Sequence, residues 1–185
     1  LVTHDHADHI KAVGNLSNDY NIPIYATEEV HEGIKRNYCV SLKPSNEHIY
    51  VIEKNKTFNL DELEITPFEV PHDSNDNVGY SIKCEDVTFC LITDCGHIED
   101  YFKEYISDAN YLVLEANHDI DMLMMGPYPA HLKGRIRSGR GHLCNKEAAQ
   151  LLTDCMTEKM KHVWLCHLSE ENNHPELARK TVDAH

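Results

Sequence analysis

Three histidines and two aspartates stand within six consecutive positions, His4-Asp5-His6-Ala7-Asp8-His9. Imidazole and carboxylate are ligands for divalent ions such as zinc, manganese and iron. Leu1-Val2-Thr3 reads as the apolar end of a strand, and Ile10-Lys11-Ala12-Val13 as a first helical turn. In extended backbone His4 and His6 point to one side and can grip one ion together. Asp8 and His9 fall where the chain enters the helix, face another direction and suit a second ion. A ligand cluster this dense is rare outside metal sites.

The pattern His4-x-His6-x-Asp8-His9 resembles the signature of the metallo-β-lactamase superfamily. The resemblance implies a further His, a bridging Asp and a last His. His72 in Val70-Pro71-His72-Asp73-Ser74, Asp94 in Thr93-Asp94-Cys95-Gly96 and His167 in Cys166-His167-Leu168-Ser169 stand in that order. It extends over essentially the whole chain and is closest to the YycJ/WalJ-like exonuclease subgroup. That closer match rests on Leu114-Glu115-Ala116-Asn117-His118-Asp119, Met125-Gly126-Pro127-Tyr128-Pro129, Arg140-Gly141-His142-Leu143-Cys144-Asn145 and His167-Leu168-Ser169-Glu170-Glu171-Asn172-Asn173.

Two divalent ions are then expected, with zinc favoured and manganese or iron possible. His4, His6 and His72 are assigned to one ion, Asp8, His9 and His167 to the other, and Asp94 to the bridge between them. A bridging carboxylate holds two ions ~3.5–4 Å apart, and a water shared between them becomes a nucleophile near neutral pH. Each later ligand also has a bland reading: a surface loop histidine for His72, a turn aspartate for Asp94, a satisfied core histidine for His167.

Asp8 and His142 are the catalytic candidates. The segment Gly141-His142-Leu143-Cys144-Asn145 leads into a helix and is similar to the His-bearing segment of the tRNase Z branch. That likeness implies a histidine that protonates the leaving oxygen or binds the phosphate. The alternative is a capping or surface histidine. Lys133, Arg135, Arg137 and Arg140 lie within eight residues just before it. They read either as a phosphate clamp or as a solvated helix face. His118 reads as a substrate-facing or supporting residue rather than a ligand.

Composition sets the frame. A chain of 185 residues suggests one domain over 1–185 with room for a substantial core. No apolar run reaches the ~18 residues needed to span a bilayer, so no membrane partner is expected. The 7 cysteines are scattered and odd in number, which reads as reduced thiols in a cytoplasm. A net charge of -14 argues against broad, nonspecific nucleic-acid binding, so attraction of a polyanion must be local. The chain starts in mid-strand without an initiator Met, whereas the family fold normally opens with several strands before the motif. An N-terminal piece therefore reads as missing, with an exposed apolar edge or a cleft expected near Leu1 to Thr3.

The elements that must position these residues follow from pattern and punctuation. Helices are predicted over Ile10–Asn18, from Thr27 as N-cap to about Arg36, over Ile98–Ile106, Pro129–Ser138 and Lys146 to about Lys161, and from Pro175 to Asp183. Strands are predicted over Ile22–Ala26, His48–Glu53, Lys56–Asn59, Leu63–Val70, Val78–Cys84, Val87–Thr93, Tyr111–Glu115 and Val163–Cys166, with Ala116–Asp121 as a loop. This order fits an α/β (α+β) fold, an αββα sandwich of two facing sheets with helices outside. Every proposed ligand falls at or just after the C-terminal end of a strand.

Three functional readings follow. The first is a dinuclear phosphodiesterase acting on nucleic acid, DNA more than RNA, as a 5′-to-3′ exonuclease. The second is a hydrolase of lactones, thioesters or cyclic phosphodiesters, since fold and metals do not fix the substrate. The third is a silent metal-binding regulatory protein, against which the intact ligand set argues.

Overall fold

The computed structural model describes residues 1–185. Its centre is a six-stranded mixed sheet in the order β3(Phe58–Leu60), β4(Leu63–Glu69), β5(Val78–Cys84), β6(Val87–Ile92), β7(Tyr111–Glu115), β8(His162–Cys166). The β3 to β6 pairs are antiparallel, with tight turns at β3–β4 and β5–β6 and a longer loop over 70–77 between β4 and β5, whereas β6, β7 and β8 run parallel. Parallel neighbours require crossovers, and helices supply them: α4(Phe102–Asp108) between β6 and β7, α7(Asn145–Cys155) between β7 and β8. A second, two-stranded parallel sheet pairs β1(Ile24–Ala26) with β2(Ile49–Val51).

Alternation along the parallel strands decides which face the helices cover. Leu112 and Leu114 of β7 are fully buried, while Tyr111 and Val113 point to the other side. The buried set packs with Ile92, Phe102, Ile106, Leu151, Leu152 and Ala178, joining α4, α7 and α8(Pro175–Asp183) in the largest core. A smaller core of Ile52, Ile65, Val78 and Tyr80 ties the two-stranded sheet to the opposite face. A third, of Ile10, Val13, Ile24, Val30 and Ile34, packs α1(Ala7–Ile10), α2(Val13–Tyr20) and α3(Glu28–Arg36) on β1. On the β7–β8 half of the face opposite the helices, Trp164 is 45 % exposed. Beside it a cleft of ≈ 380 Å³ is lined by Leu1, Val2, Leu91, Val113 and Cys166.

Most predicted elements are present within one or two residues at either end, and the departures have local causes. Leu1-Val2-Thr3 is extended but not a regular strand. Val2 N–H donates to Tyr25 O at 3.0 Å and Val78 N–H to Thr3 O at 3.0 Å, with only a single bridge, His4 to Asn77, beyond them. The stretch thus stitches β1 to β5. The helix predicted over Ile98–Ile106 begins later and ends at Asp108. The predicted loop 116–121 instead runs into a helix, α5(Ile120–Met125), whose N-cap Asp119 accepts from Asp121 and Met122 N–H at 3.0 Å each. Such a short helix has too few turns to show periodicity. The following α6(Ala130–Ile136) lies inside the predicted span. Helix α7 is capped by Cys144, with Asn145 as its first residue, and stops at Cys155 because Met156 turns extended.

Leu114→Ala should therefore destabilise the protein by about 2–5 kcal/mol through lost transfer and a cavity at the helix–sheet interface. Urea unfolding of the variant checks this; an unchanged midpoint would mean the site collapses without cost.

Candidate metal centre

The ligands proposed from sequence come from the extended stretch before α1, from α1 itself and from the ends of three strands. His4 and His6 lie on the extended stretch before α1, whose N-cap is His6, and Asp8 and His9 lie inside that helix. His72 follows β4, Asp94 follows β6, and His167 follows β8. The loop carrying them is braced by Asp5. Its Oδ1 accepts from Asn75 N–H at 3.2 Å, its Oδ2 from the Asn75 amide, and its carbonyl from Asn37 Nδ2 at 3.1 Å. Gly33 of α3 approaches the Asp5 carboxylate so closely that any Cβ would collide with it.

The donor atoms converge on the Asp94 carboxylate. Oδ1 lies 3.8 Å from His4 Nε2, 3.7 Å from His72 Nε2 and 3.5 Å from His167 Nε2. Oδ2 lies 3.3 Å from His9 Nε2. His6 Nδ1 stands 3.2 Å from His72 Nε2, and Asp8 Oδ2 stands 3.4 Å from His9 Nε2 and 3.6 Å from His167 Nε2. Two ligand atoms on one tetrahedral ion, each about 2.1 Å from it, are about 3.4 Å apart. The observed spacings cluster around that value. They form a His4, His6, His72 group, an Asp8, His9, His167 group and Asp94 between them.

Second contacts hold the rings from behind. His4 Nδ1 meets Thr3 Oγ1 at 3.0 Å, His72 Nδ1 donates to Gly141 O at 3.0 Å, and His167 Nδ1 donates to Glu115 Oε1 at 2.8 Å. Each arrangement leaves Nε2 facing inward. His4 Nε2 is buried without any hydrogen-bond partner, an orphan that a divalent cation would satisfy. The donor set and this orphan both fit divalent metal. Burial first, then the surrounding imidazoles, push the His4 pKa down to about 2, so the ring is neutral and its lone pair available.

Asp94 and His167 have left-handed backbones, with φ of 53° and 54°. Such conformations cost a non-glycine residue of order 1–3 kcal/mol and persist where surrounding contacts enforce them. Asn77 Nδ2 donates to Asp94 O and Asn117 Nδ2 to His167 O, both at 2.8 Å. Thr93 Oγ1 adds a bond to Asp94 Oδ2 at 2.8 Å.

Two acids that sequence reasoning passed over complete the site. Glu115, fully buried at the end of β7, accepts from His142 Nδ1 and His167 Nδ1 at 2.8 Å each through Oε1. Its Oε2 accepts from Cys95 N–H at 2.8 Å and Leu143 N–H at 3.1 Å. Burial alone would raise its pKa, but the two histidines outweigh it and hold Glu115 at about 2. In turn, burial opposes charge on His167, but Glu115 and Asp94 prevail and lift its pKa to about 9. Asp73 places Oδ1 3.5 Å from His72 Nε2 and 3.7 Å from His6 Nε2. The signal for Glu115 was a carboxylate closing an otherwise apolar buried strand.

The remaining candidates separate. His142 sits beside the centre, its Nδ1 3.8 Å from Asp94 Oδ1 and its ring 5.1 Å from His72 and 5.2 Å from His167. His118 is 2 % exposed and outside the ligand groups, but lines a cavity shared with His142. The basic run does not act as one face. Lys133 Nζ donates to Met124 O and Gly126 O at 2.8 Å each, and Arg135 pairs with Asp73 through both carboxylate oxygens. These two are engaged within the protein. Arg140 Nε donates to His72 O at 3.2 Å, and Arg137 lines the His142 cavity.

Comparison with known proteins agrees with this geometry. Residues 1–167 match the profile of the beta-lactamase superfamily domain. The chain belongs to this superfamily. It is 40% identical over 182 residues to the Bacillus anthracis protein named exodeoxyribonuclease YycJ, covering 98% of this chain and 68% of that one. It is 36% identical over 183 residues to the Streptococcus pneumoniae exodeoxyribonuclease WalJ, covering 98% and 67%. Among solved structures, Zn(2+)-bound PqqB from Methylobacterium extorquens superposes with a TM-score of 0.72 at 20% identity, over 98% of this chain and 67% of that chain. That likeness shows the metallo-β-lactamase fold. No helix is long and apolar enough to cross a membrane.

The raised pKa of His167 has a measurable consequence. In the metal-free protein at about pH 8 the ring carries both protons, and a divalent ion at Nε2 must displace one. Zinc binding should therefore release about one proton assignable to His167 between pH 6.5 and 9, and His167→Ala should abolish it. Calorimetry in buffers of different ionisation enthalpy measures the release. The same raised pKa stabilises the metal-free fold fully below the unfolded value of 6.5, a contribution lost as pH rises through about 9.

Proposed function

We propose that the chain is a phosphodiesterase that degrades DNA from an end, in the 5′-to-3′ direction, using two divalent ions. The observation that carries this reading is Asp94, whose two oxygens stand within 3.8 Å of four imidazole nitrogens drawn from both ligand groups. His4, His6 and His72 would hold one ion, Asp8, His9 and His167 the second, and Asp94 both. Such ions, zinc first and manganese next, supply an activated water and neutralise charge on the scissile phosphate. The names of the YycJ and WalJ relatives support DNA as the substrate.

The chain's own residues do the rest. Glu115 fixes the His142 ring through Nδ1 and leaves Nε2 as the atom that faces substrate. A protonated His142 can deliver that proton to the departing sugar oxygen, a role worth typically ~10²–10⁴ in rate. Arg137 and Arg140 are the local cations for a polyanion on a protein of net charge -14.

The test is cleavage of end-labelled single- and double-stranded DNA by the full chain with zinc or manganese. Progressive release of mononucleotides is expected. His142→Ala should lower the rate by about 10²–10⁴ with both ions still bound, as read by elemental analysis. Failure to cut DNA or RNA, with hydrolysis of a lactone or thioester instead, would sink the nuclease reading. Asp94→Ala should lose both ions together; retention of two would contradict the shared carboxylate.

A further inference from the structure

Beside His142 lies a cavity of ≈ 140 Å³, separate from the convergence of ligand atoms on Asp94. Its volume equals the share of about five waters in the liquid, the heavy-atom count of one phosphoryl group. A nucleoside would need the several hundred Å³ typical of small-molecule sites.

We propose that this cavity is a phosphoryl subsite, which seats one phosphate of the substrate on Arg137, His118 and the start of α7 while the scissile bond lies at the metal centre. The inference rests on the phosphodiesterase reading for the identity of the molecule that carries the phosphate. Its chemistry stands on three independent observations.

The first is His118. The residue is 2 % exposed, it lines the cavity, and its Nδ1 is buried with no hydrogen-bond partner. Leaving such an atom unpaired costs about 1–3 kcal/mol, which a ligand oxygen would recover. The backbone that carries the ring is fixed, because His118 bridges to Cys144 and its carbonyl accepts from Asn145 N–H at 2.9 Å.

The second is Arg137. Its partner within the protein is the thioether of Met124, with Nη1 to Sδ at 3.4 Å, a weak acceptor. Its neighbours differ: Arg135 is paired with Asp73, and Lys133 is spent on two carbonyls. A guanidinium at a cavity wall without a carboxylate partner is a ready fork for phosphate oxygens.

The third is α7, which spans eleven residues and begins at the cavity, its N-cap Cys144 forming part of the wall. A helix start favours an anion. Glu147 is the one acid on the wall. Its Oε2 accepts from Cys144 N–H at 2.8 Å, so that oxygen is turned into the cap.

The decisive measurement is direct binding. Metal-loaded, ¹⁵N-labelled full chain is titrated with inorganic phosphate, and the Arg137 Nε and His118 ring signals are followed. Both should shift with a single affinity, and Arg137→Ala, an exposed position, should weaken that affinity about tenfold or more. Arg137→Lys should restore part of it. Unmoved Arg137 and His118 signals, or equal phosphate affinity in parent and Arg137→Ala, would overturn the subsite. A second arm identifies the source of the phosphate, using strands that begin with a 5′-phosphate or a 5′-hydroxyl. Loss in Arg137→Ala of a preference for the phosphorylated end supports a terminal phosphate. Equal loss on both strands supports an internal one. Unaltered KM on both strands contradicts the subsite. If no form of the protein cuts DNA, the nuclease reading falls, and the phosphate titration still decides the cavity.

Discussion

A single buried carboxylate holds the candidate active site together. Glu115 is inaccessible to solvent, and an ionised carboxyl there would cost several kcal/mol if left bare. It instead accepts four hydrogen bonds, from His142, His167, Cys95 and Leu143. Those donors belong to three separate loops: the one after β6 that carries Asp94, the one before α7 that carries His142, and the one after β8 that carries His167. The charge can stay buried only when all three loops are in place. Satisfying Glu115 and assembling the site are therefore the same event.

The sheet explains why such loops meet at all. Strands β6, β7 and β8 are parallel neighbours in register, so their C-terminal ends share one edge of the molecule. Residues just beyond those ends are delivered to one place by a rigid, well-packed scaffold. The packing is close on the inner side of the loops too. Gly96 lies against the backbone of Gly139 and Arg140, where a Cβ would collide with main-chain atoms. That approach brings the Asp94 loop against the segment leading into His142. The left-handed backbones at Asp94 and His167 belong to the same construction, since contacts around them outweigh the local strain.

Charge is distributed to the same end. The chain is strongly acidic overall, and its site adds Asp8, Asp73, Asp94 and Glu115. The nearby guanidiniums, and divalent ions when bound, would offset those carboxylates locally. Arg135 neutralises Asp73, which would otherwise compete for the His6 and His72 side of the centre. Arg137 carries no such duty. Two cations only two positions apart in the chain thus divide into one that balances the site and one that faces a cavity.

The histidine and aspartate positions of the centre were legible in the amino-acid order, because His4 to His9 form a dense local cluster and His72, Asp94 and His167 each close a readable strand. Capping was legible where it is local, as at Thr27, whose side chain accepts from Val30 N–H. Local sequence did not reveal α5, which is too short for a period, or the end of α7, which no glycine or proline marks. Nor did it separate the members of the basic run. Lys133, Arg135, Arg137 and Arg140 are alike as residue types, and only the folded chain sends one to carbonyls, one to Asp73, one to the His72 carbonyl and one to an open cavity. Glu115 and the orphan Nδ1 of His118 were hidden for the same reason. A side chain's role depends on partners supplied by segments tens of residues away. Residue type and spacing determine which atoms can bind a cation, but burial and long-range hydrogen bonding decide which of them face it.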